Sequence, residues 1–214
     1  MIPMSISNNA KFITFEGIDG CGKSTQAKLL LESLNARRLP AILVREPGGT
    51  RVSEAIRQIL LHKDTDELVD RTEALLMTAS RAQLTREVIL PSLEQGKWVI
   101  ADRYSDSTLA YQGGGRNLDM DWLIKLNSFA TYELSPDITF FIDVRPEVAL
   151  GRQGFNRDRI EREGVEFQVR ARNTYHELLK RFPERFVAID GHQDVRSIQK
   201  QVWEEIIRRH FIQS

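Results

Sequence analysis

Compact apolar runs and amphipathic stretches alternate along this chain. Residues 11–16 (KFITFE) combine apolar, β-branched and aromatic side chains and read as a buried strand. After a glycine-rich segment, Ala27, Leu30, Leu31 and Leu34 recur at helical spacing. Residues 41–44 form the next strand candidate, and Val52, Ala55, Ile56, Ile59 and Leu60 mark one face of another helix. A long helical region from about 67 to 90 is expected to stop at Pro91, whose ring and missing N–H oppose a helix interior. Residues 98–101, 137–144 and 185–189 complete the strand set. Segments 121–131, 165–181 and 195–211 read as helices, and Pro146 suits the first turn of one more.

Strands alternating with helices predict an α/β fold: a five-stranded parallel sheet with helices on both faces. Ligands of such sheets sit beyond the carboxyl ends of the strands. Four polar segments follow strands here: GIDGCGKST, REPGGTR, DRYSDST and an arginine-rich stretch after Val144. They are expected to converge on one crevice.

Composition narrows the class. At 214 residues the chain suits one domain, 1–214. Lys plus Arg and Asp plus Glu are both 30, which gives no global basic field for nucleic acid or an anionic membrane. No apolar run is long enough to cross a bilayer. The first ten residues lack the pattern of a signal peptide. A single cysteine, Cys21, excludes an intramolecular disulfide and a multi-cysteine metal site, and the four histidines show no ligand spacing. A soluble cytoplasmic protein is expected, with no nucleic-acid or membrane partner.

Gly17-Ile18-Asp19-Gly20-Cys21-Gly22-Lys23-Ser24 fits G-x-x-x-x-G-K-[ST], between a strand and a helix. Glycines let such a loop wrap an anion with backbone N–H groups, and the helix that follows adds its positive end. Lys23 can reach the β- and γ-phosphates, the Ser24 hydroxyl can coordinate Mg²⁺, and Thr25 follows in the first turn. Cys21 reads as a small loop residue. The chain lacks an N-K-x-D segment for guanine, Gln112-Gly113-Gly114-Gly115 lacks the Leu-Ser of a cassette signature, and the length is short for a motor. A kinase of small metabolites remains.

REPGGT (45–50), DRY (102–104) and AYQGGGR (110–116) accumulate on top of this loop. In that order, from residue 11 to nearly the C-terminus, the chain resembles the thymidylate kinase family, which phosphorylates dTMP with ATP. The resemblance implies the nucleoside monophosphate kinase form of the phosphate-loop fold, ATP as donor with Mg²⁺, dTMP as acceptor, and a homodimer. It implies that Asp19 contacts the 3′-hydroxyl region of the acceptor, that Arg81 hydrogen-bonds thymine, and that Tyr111 lies against the sugar. Thr108 and Gln112 are expected near the base, and Glu46 and Pro47 on the acceptor side. Met77 stands where the family usually has a phenylalanine stacked on thymine; its thioether still offers a polarizable apolar surface.

Asp102 ends a strand, where a carboxylate can hold water ligands of Mg²⁺. Asp143 competes by position, and N-capping is the plainer role for Asp102. Arg103 can clamp an acceptor phosphate with paired hydrogen bonds.

Residues 151–164 resemble the family's lid. Arginine stands at 152, 157, 159 and 162, while the phosphate loop carries Gly20 and Cys21 where some family members have arginine. The resemblance therefore implies catalytic arginine from the lid, Arg152 first and Arg157 second, with Arg159 held by Asp158 or Glu161. Gln193, in the loop after the last strand, falls where family members contact adenine. The expected reaction is ATP + dTMP → ADP + dTDP. The alternatives are a related kinase with another acceptor and a nucleotide-switched binding protein.

Overall fold

A computed structural model describes residues 10–62, 67–154 and 158–212. Five strands, β1 (Phe12–Glu16), β2 (Ala41–Arg45), β3 (Trp98–Asp102), β4 (Ile138–Asp143) and β5 (Phe186–Asp190), form one sheet in the order β2-β3-β1-β4-β5. Every pairing is parallel. β1 sits centrally, with Phe15 opposite Asp102 on one side and Phe140 on the other.

Alternate strand residues point to opposite faces, and both faces are covered. Ile13, Phe15, Ile100, Phe140 and Ile142 belong to one apolar cluster with Ala27, Leu30, Tyr175, Val202 and Ile206. Phe12, Val99 and Ala101 belong to a second, with Leu84, Ile89, Leu93 and Tyr104. Burial on both faces explains why these strands read as continuous apolar runs.

The helices are α1 (Lys23–Ala36), α2 (Arg51–Leu61), α3 (Asp70–Leu84), α4 (Leu90–Glu94), α5 (Ser105–Thr108), α6 (Met120–Ala130), α7 (Pro146–Arg152), α8 (Val165–Arg181) and α9 (Val195–Arg208). Thr50, Asp119 and Asp194 cap α2, α6 and α9 through their side-chain oxygens, each satisfying free N–H groups of the first turn.

Pro91 does not end the long helix, contrary to expectation. Helical backbone runs from Asp70 through Leu84, widens into a π-helical turn at Thr85–Ile89, and continues through α4 to Glu94. Leu90 N–H bonds to the Thr85 carbonyl, five residues back. That wider turn precedes the proline, so Pro91 enters as an early residue of α4, where a missing N–H costs little.

The segment after DRY is also helical. α5 leads directly into a second π-helical turn, Leu109–Gly115. Its glycines permit close packing on α8: a Cβ at Gly114 would run into Thr174 Oγ1, and one at Gly115 into the Phe167 ring. This approach brings Tyr111 and Gln112 to the carboxyl edge of the sheet.

Candidate active site

The phosphate loop leaves β1 and turns into α1 through Gly17, Gly20 and Gly22, all with positive φ. A Cβ at Gly17 would come 2.6 Å from the Ile142 carbonyl oxygen, and one at Gly20 would collide with the Ala149 carbonyl. Only glycine allows both the turn and that approach. Ile18 and Cys21 are buried beneath the loop, and burial pushes the Cys21 thiol up, so the sulfur packs as a neutral group. Lys23 is nearly buried, with Nζ 3.5 Å from the Ile18 carbonyl and 3.4 Å from Asp19 Oδ1. Ser24 and Thr25 are exposed in the first turn of α1.

Asp19 joins this loop to the strand-end residue Arg103. Arg103 Nη2 donates to Asp19 Oδ1 at 2.5 Å and to the Tyr111 hydroxyl at 2.9 Å, and that hydroxyl donates to Asp19 Oδ2 at 2.8 Å. Arg103 Nη1 donates to the Gly17 carbonyl and to Ser107 Oγ. The guanidinium also lies over the Tyr111 ring, 4.8 Å from its centroid. Burial disfavours the Asp19 charge, but Arg103, Lys23 and Tyr111 outweigh it and hold the carboxyl well below the usual range. The Arg103 backbone takes φ +74°, a strained value for a non-glycine residue at a site of convergence.

These groups line a cleft of about 280 Å³ at the carboxyl ends of β1, β2 and β3. Asp19, Lys23, Ser24, Glu46, Pro47, Met77, Arg81, Asp102, Arg103, Thr108, Tyr111 and Gln112 all border it, so the structure brings most of the expected site residues together. Asp102 Oδ1 is buried without a hydrogen-bond partner. Asp143, by contrast, is held by a two-pronged Arg172 contact at 2.6 and 2.9 Å and by His176 at 3.2 Å. An orphaned acceptor and an exposed hydroxyl, Ser24, on one cleft are oxygen donors that fit a hard cation such as Mg²⁺. Among the described residues no group of three or more His, Cys, Asp or Glu converges on one point. Such an ion would therefore draw its other ligands from phosphate and water.

Arg81 is only 2 % exposed, and its donors are engaged within the protein. Nε meets Glu46 Oε2 at 2.7 Å, Nη1 meets Thr108 Oγ1 and Asn127 Oδ1 at 2.8 Å each, and Nη2 meets the Tyr104 carbonyl at 2.9 Å. The residue thus borders the cleft while tying together α3, α5, α6 and the REPGGT loop. Burial pushes Glu46 up despite Arg81, and Glu46 Oε1 has no partner.

Gln112 donates to Glu73 Oε1 at 2.8 Å. Glu73 is fully buried and also receives Arg116 and Arg159 Nη2, the latter at 2.6 Å. Arg159 Nε donates to the Leu60 carbonyl. Thus Arg159 is held by Glu73 and by the end of α2, where the sequence suggested Asp158 or Glu161. Arg157 lies outside the described residues. Arg152, at the end of α7, is exposed and donates to the Gly191 carbonyl at 3.0 Å, on the loop that carries Gln193. Arg152 thus meets the loop after β5, and neither it nor Gln193 lines the cleft.

Several cleft residues escaped the sequence reading. Arg57 on α2 borders it and donates to the Pro47 carbonyl at 2.7 Å. Its signal is position alone, on a helix that starts at the strand-end loop. Asp158, Ile160 and Glu161 enter from the segment between α7 and α8. Gln153 Nε2 donates to the Asp19 carbonyl at 2.9 Å, linking the end of α7 to the phosphate loop.

The thymidylate kinase family profile matches residues 15–202. A thymidylate kinase of Caldanaerobacter subterraneus subsp. tengcongensis is 50 % identical over 193 residues, covering 90 % of this chain and 92 % of that protein. One of Kosmotoga olearia is 48 % identical over 198 residues, with 92 % and 95 % covered. Among solved structures, thymidylate kinase from Ehrlichia chaffeensis superposes with a TM-score of 0.76 at 35 % identity, covering 92 % of this chain and 98 % of that one.

Proposed function

The chain belongs to the thymidylate kinase family, and from that premise we propose how its cleft transfers the γ-phosphoryl group of ATP to dTMP, giving ADP and dTDP on the way to dTTP. The observation that carries the reading is the Arg103–Asp19–Tyr111 cluster. A carboxylate of the phosphate loop shares hydrogen bonds with side chains of the opposite wall at 2.5 and 2.8 Å. Donor and acceptor positions are therefore continuous, as an in-line transfer requires.

The loop amides and Lys23 hold the donor phosphates. Ser24 and, through water, Asp102 would hold Mg²⁺, which would supply neutralising charge to the donor phosphates. Arg103, supported by Arg57, takes the 5′-phosphate of dTMP and aligns it. That phosphate is already ionised and attacks without a strong general base, so alignment and charge stabilisation carry catalysis. Tyr111 and Asp19 face the sugar, and Met77, Thr108, Gln112 and Arg81 shape the base pocket. The lid supplies the arginine that meets developing charge, Arg152 before Arg157. In this structure Arg152 rests on the Gly191 carbonyl, so the role requires it to swing toward the phosphates.

The enzyme acts as a cytoplasmic homodimer in this reading. Exposed Leu75 on α3, Trp122 and Phe129 on α6, and Tyr132 just beyond it are apolar groups suited to a second copy. Among the described residues no helix is long and apolar enough to cross a membrane.

A coupled assay of ADP release across dTMP, dUMP, UMP, CMP and thymidine tests the proposal. Fastest turnover with dTMP is expected. Preference for another acceptor would transfer the reading to a related kinase, and ADP release indifferent to any acceptor would favour a nucleotide switch.

A further inference from the structure

Glu16, the last residue of β1, is fully buried and does not line the cleft. A carboxylate in such a place requires hydrogen bonds to offset its lost hydration. Glu16 has three. Oε1 accepts from the Tyr104 backbone N–H at 2.7 Å. Oε2 accepts from the Ser107 hydroxyl at 2.6 Å and from the Tyr175 hydroxyl at 2.8 Å.

The polarity of this network has a consequence one residue further on. Tyr104 N–H can only donate, so Oε1 must accept. A serine hydroxyl carries a single hydrogen. With that hydrogen given to Glu16, Ser107 Oγ presents a lone pair to Arg103 Nη1, 3.0 Å away. Tyr104 and Ser107 flank the start of α5, directly after Arg103 with its positive φ. The carboxylate therefore fixes both the backbone behind Arg103 and an acceptor for its guanidinium.

We propose that Glu16 is a positioning residue for acceptor binding, holding Arg103 through Ser107 and the start of α5 in the pose that receives the monophosphate. The proposal rests on the reading of Arg103 as the acceptor-phosphate residue. Glu16 itself touches neither nucleotide.

Glu16→Gln tests this while keeping shape. The Tyr104 N–H demands the amide oxygen at the Oε1 position, which leaves the NH₂ group facing Ser107 and Tyr175. Ser107 then accepts from the amide and redirects its own hydrogen, to the Tyr175 hydroxyl 3.1 Å away or toward Arg103, so the lone pair that Arg103 meets is no longer fixed. The expected result is a rise in KM for dTMP of about tenfold, the scale of one hydrogen bond to a charged group, with KM for ATP unchanged. A KM for dTMP equal to that of the parent enzyme, or an equal rise for both substrates, overturns the proposal. In an Arg103→Ala background Glu16→Gln should add nothing, and a further full rise there also overturns it. Arg103→Ala alone separates the two levels of the argument. If it leaves dTMP binding intact, the acceptor reading itself fails and the role of Glu16 falls with it. Should Glu16→Gln not fold, Ser107→Ala removes the bridging hydroxyl alone. It should raise KM for dTMP severalfold at constant KM for ATP, and no change sinks the idea.

Discussion

Arg159 Nη2 lies 2.6 Å from Glu73 Oε2, and both side chains are at least nine-tenths buried. This contact pins the segment between α7 and α8 to α3. Glu73 also holds Gln112 and Arg116, so one carboxylate ties the cleft residue Gln112 to the segment that carries Arg159. Burial alone would push Glu73 up, but Arg116, Gln112 and Arg159 outweigh it and keep the carboxyl below its ordinary value.

Glu73→Ala is accordingly expected to destabilise the protein by about 3–5 kcal/mol, because it strands two buried or half-buried guanidinium groups. Urea denaturation measures this. Arg159→Met leaves Glu73 paired with Arg116 and should cost less, while raising KM for ATP by loosening the lid. Equal stability of Glu73→Ala and the parent protein would mean that these contacts do not form in solution.

The five strands and the phosphate loop were legible because each depends on local signals. Apolar runs mark strands buried on both faces, and Gly17, Gly20, Gly22, Lys23 and Ser24 announce their chemistry by spacing. The helical path of 105–115 was not legible, since a π-helical turn breaks the 3.6-residue period and three glycines argue for a loop. Pro91 misled for a related reason: the π-helical turn before it removes the conflict that the proline signals. Pairings such as Glu73 with Arg159 lie 86 positions apart and leave no local trace. Arg81 illustrates a further limit. Its place on the cleft was readable from the family motif, but its engagement by Glu46, Thr108, Asn127 and Tyr104 is a property of the fold.

Met77 borders the cleft and is half-buried on α3. If Met77 underlies the base as proposed, Met77→Ala removes that apolar surface and should raise KM for dTMP about tenfold, the scale of a partly buried side chain. Met77→Phe offers an aromatic face and should lower it severalfold, since ring stacking contributes about 0.5–1.5 kcal/mol. Steady-state kinetics at fixed ATP decides both. Indifference to either change would place the base elsewhere.

Glu16 gives the stability a pH dependence. Burial and then Asp106 push its carboxyl up to about 7, against Ser107, Arg103 and Tyr175, which favour the charge. Asp106 is itself held by Arg185 at 2.7 Å. A folded value above the unfolded one means that this group's stabilising contribution is fully present below about 4.5 and is lost as pH rises through about 7. Glu16→Gln has no such loss. Urea midpoints of the two proteins should therefore diverge from pH 5 to pH 8 in favour of the variant, on the order of a kcal/mol or more. A constant difference would show that Glu16 titrates normally.

Lys23 sits between the Ile18 carbonyl and Asp19, its stem buried and its ammonium facing the cleft. Lys23→Ala should reduce kcat by at least about 10²-fold, as expected for losing a donor that meets developing charge. The fold should survive, because the loop path is set by glycines and backbone contacts. Circular dichroism and turnover together test this, and full activity in a folded variant would reject the phosphate-loop assignment.

Arg152 marks the last choice, between a structural and a catalytic lid. Among the described residues it donates to a backbone carbonyl, Gly191 O at 3.0 Å, and the side chain is exposed, so releasing it costs about one surface hydrogen bond. If it acts on the migrating phosphoryl group, Arg152→Ala should lower kcat on the order of 10³-fold while changing the dissociation constant for dTMP little. If it serves only to seat the Gly191 loop, KM for ATP should rise with kcat nearly unchanged. Single-turnover rates measured beside equilibrium binding of dTMP distinguish these outcomes, and an unchanged rate moves the catalytic role to Arg157.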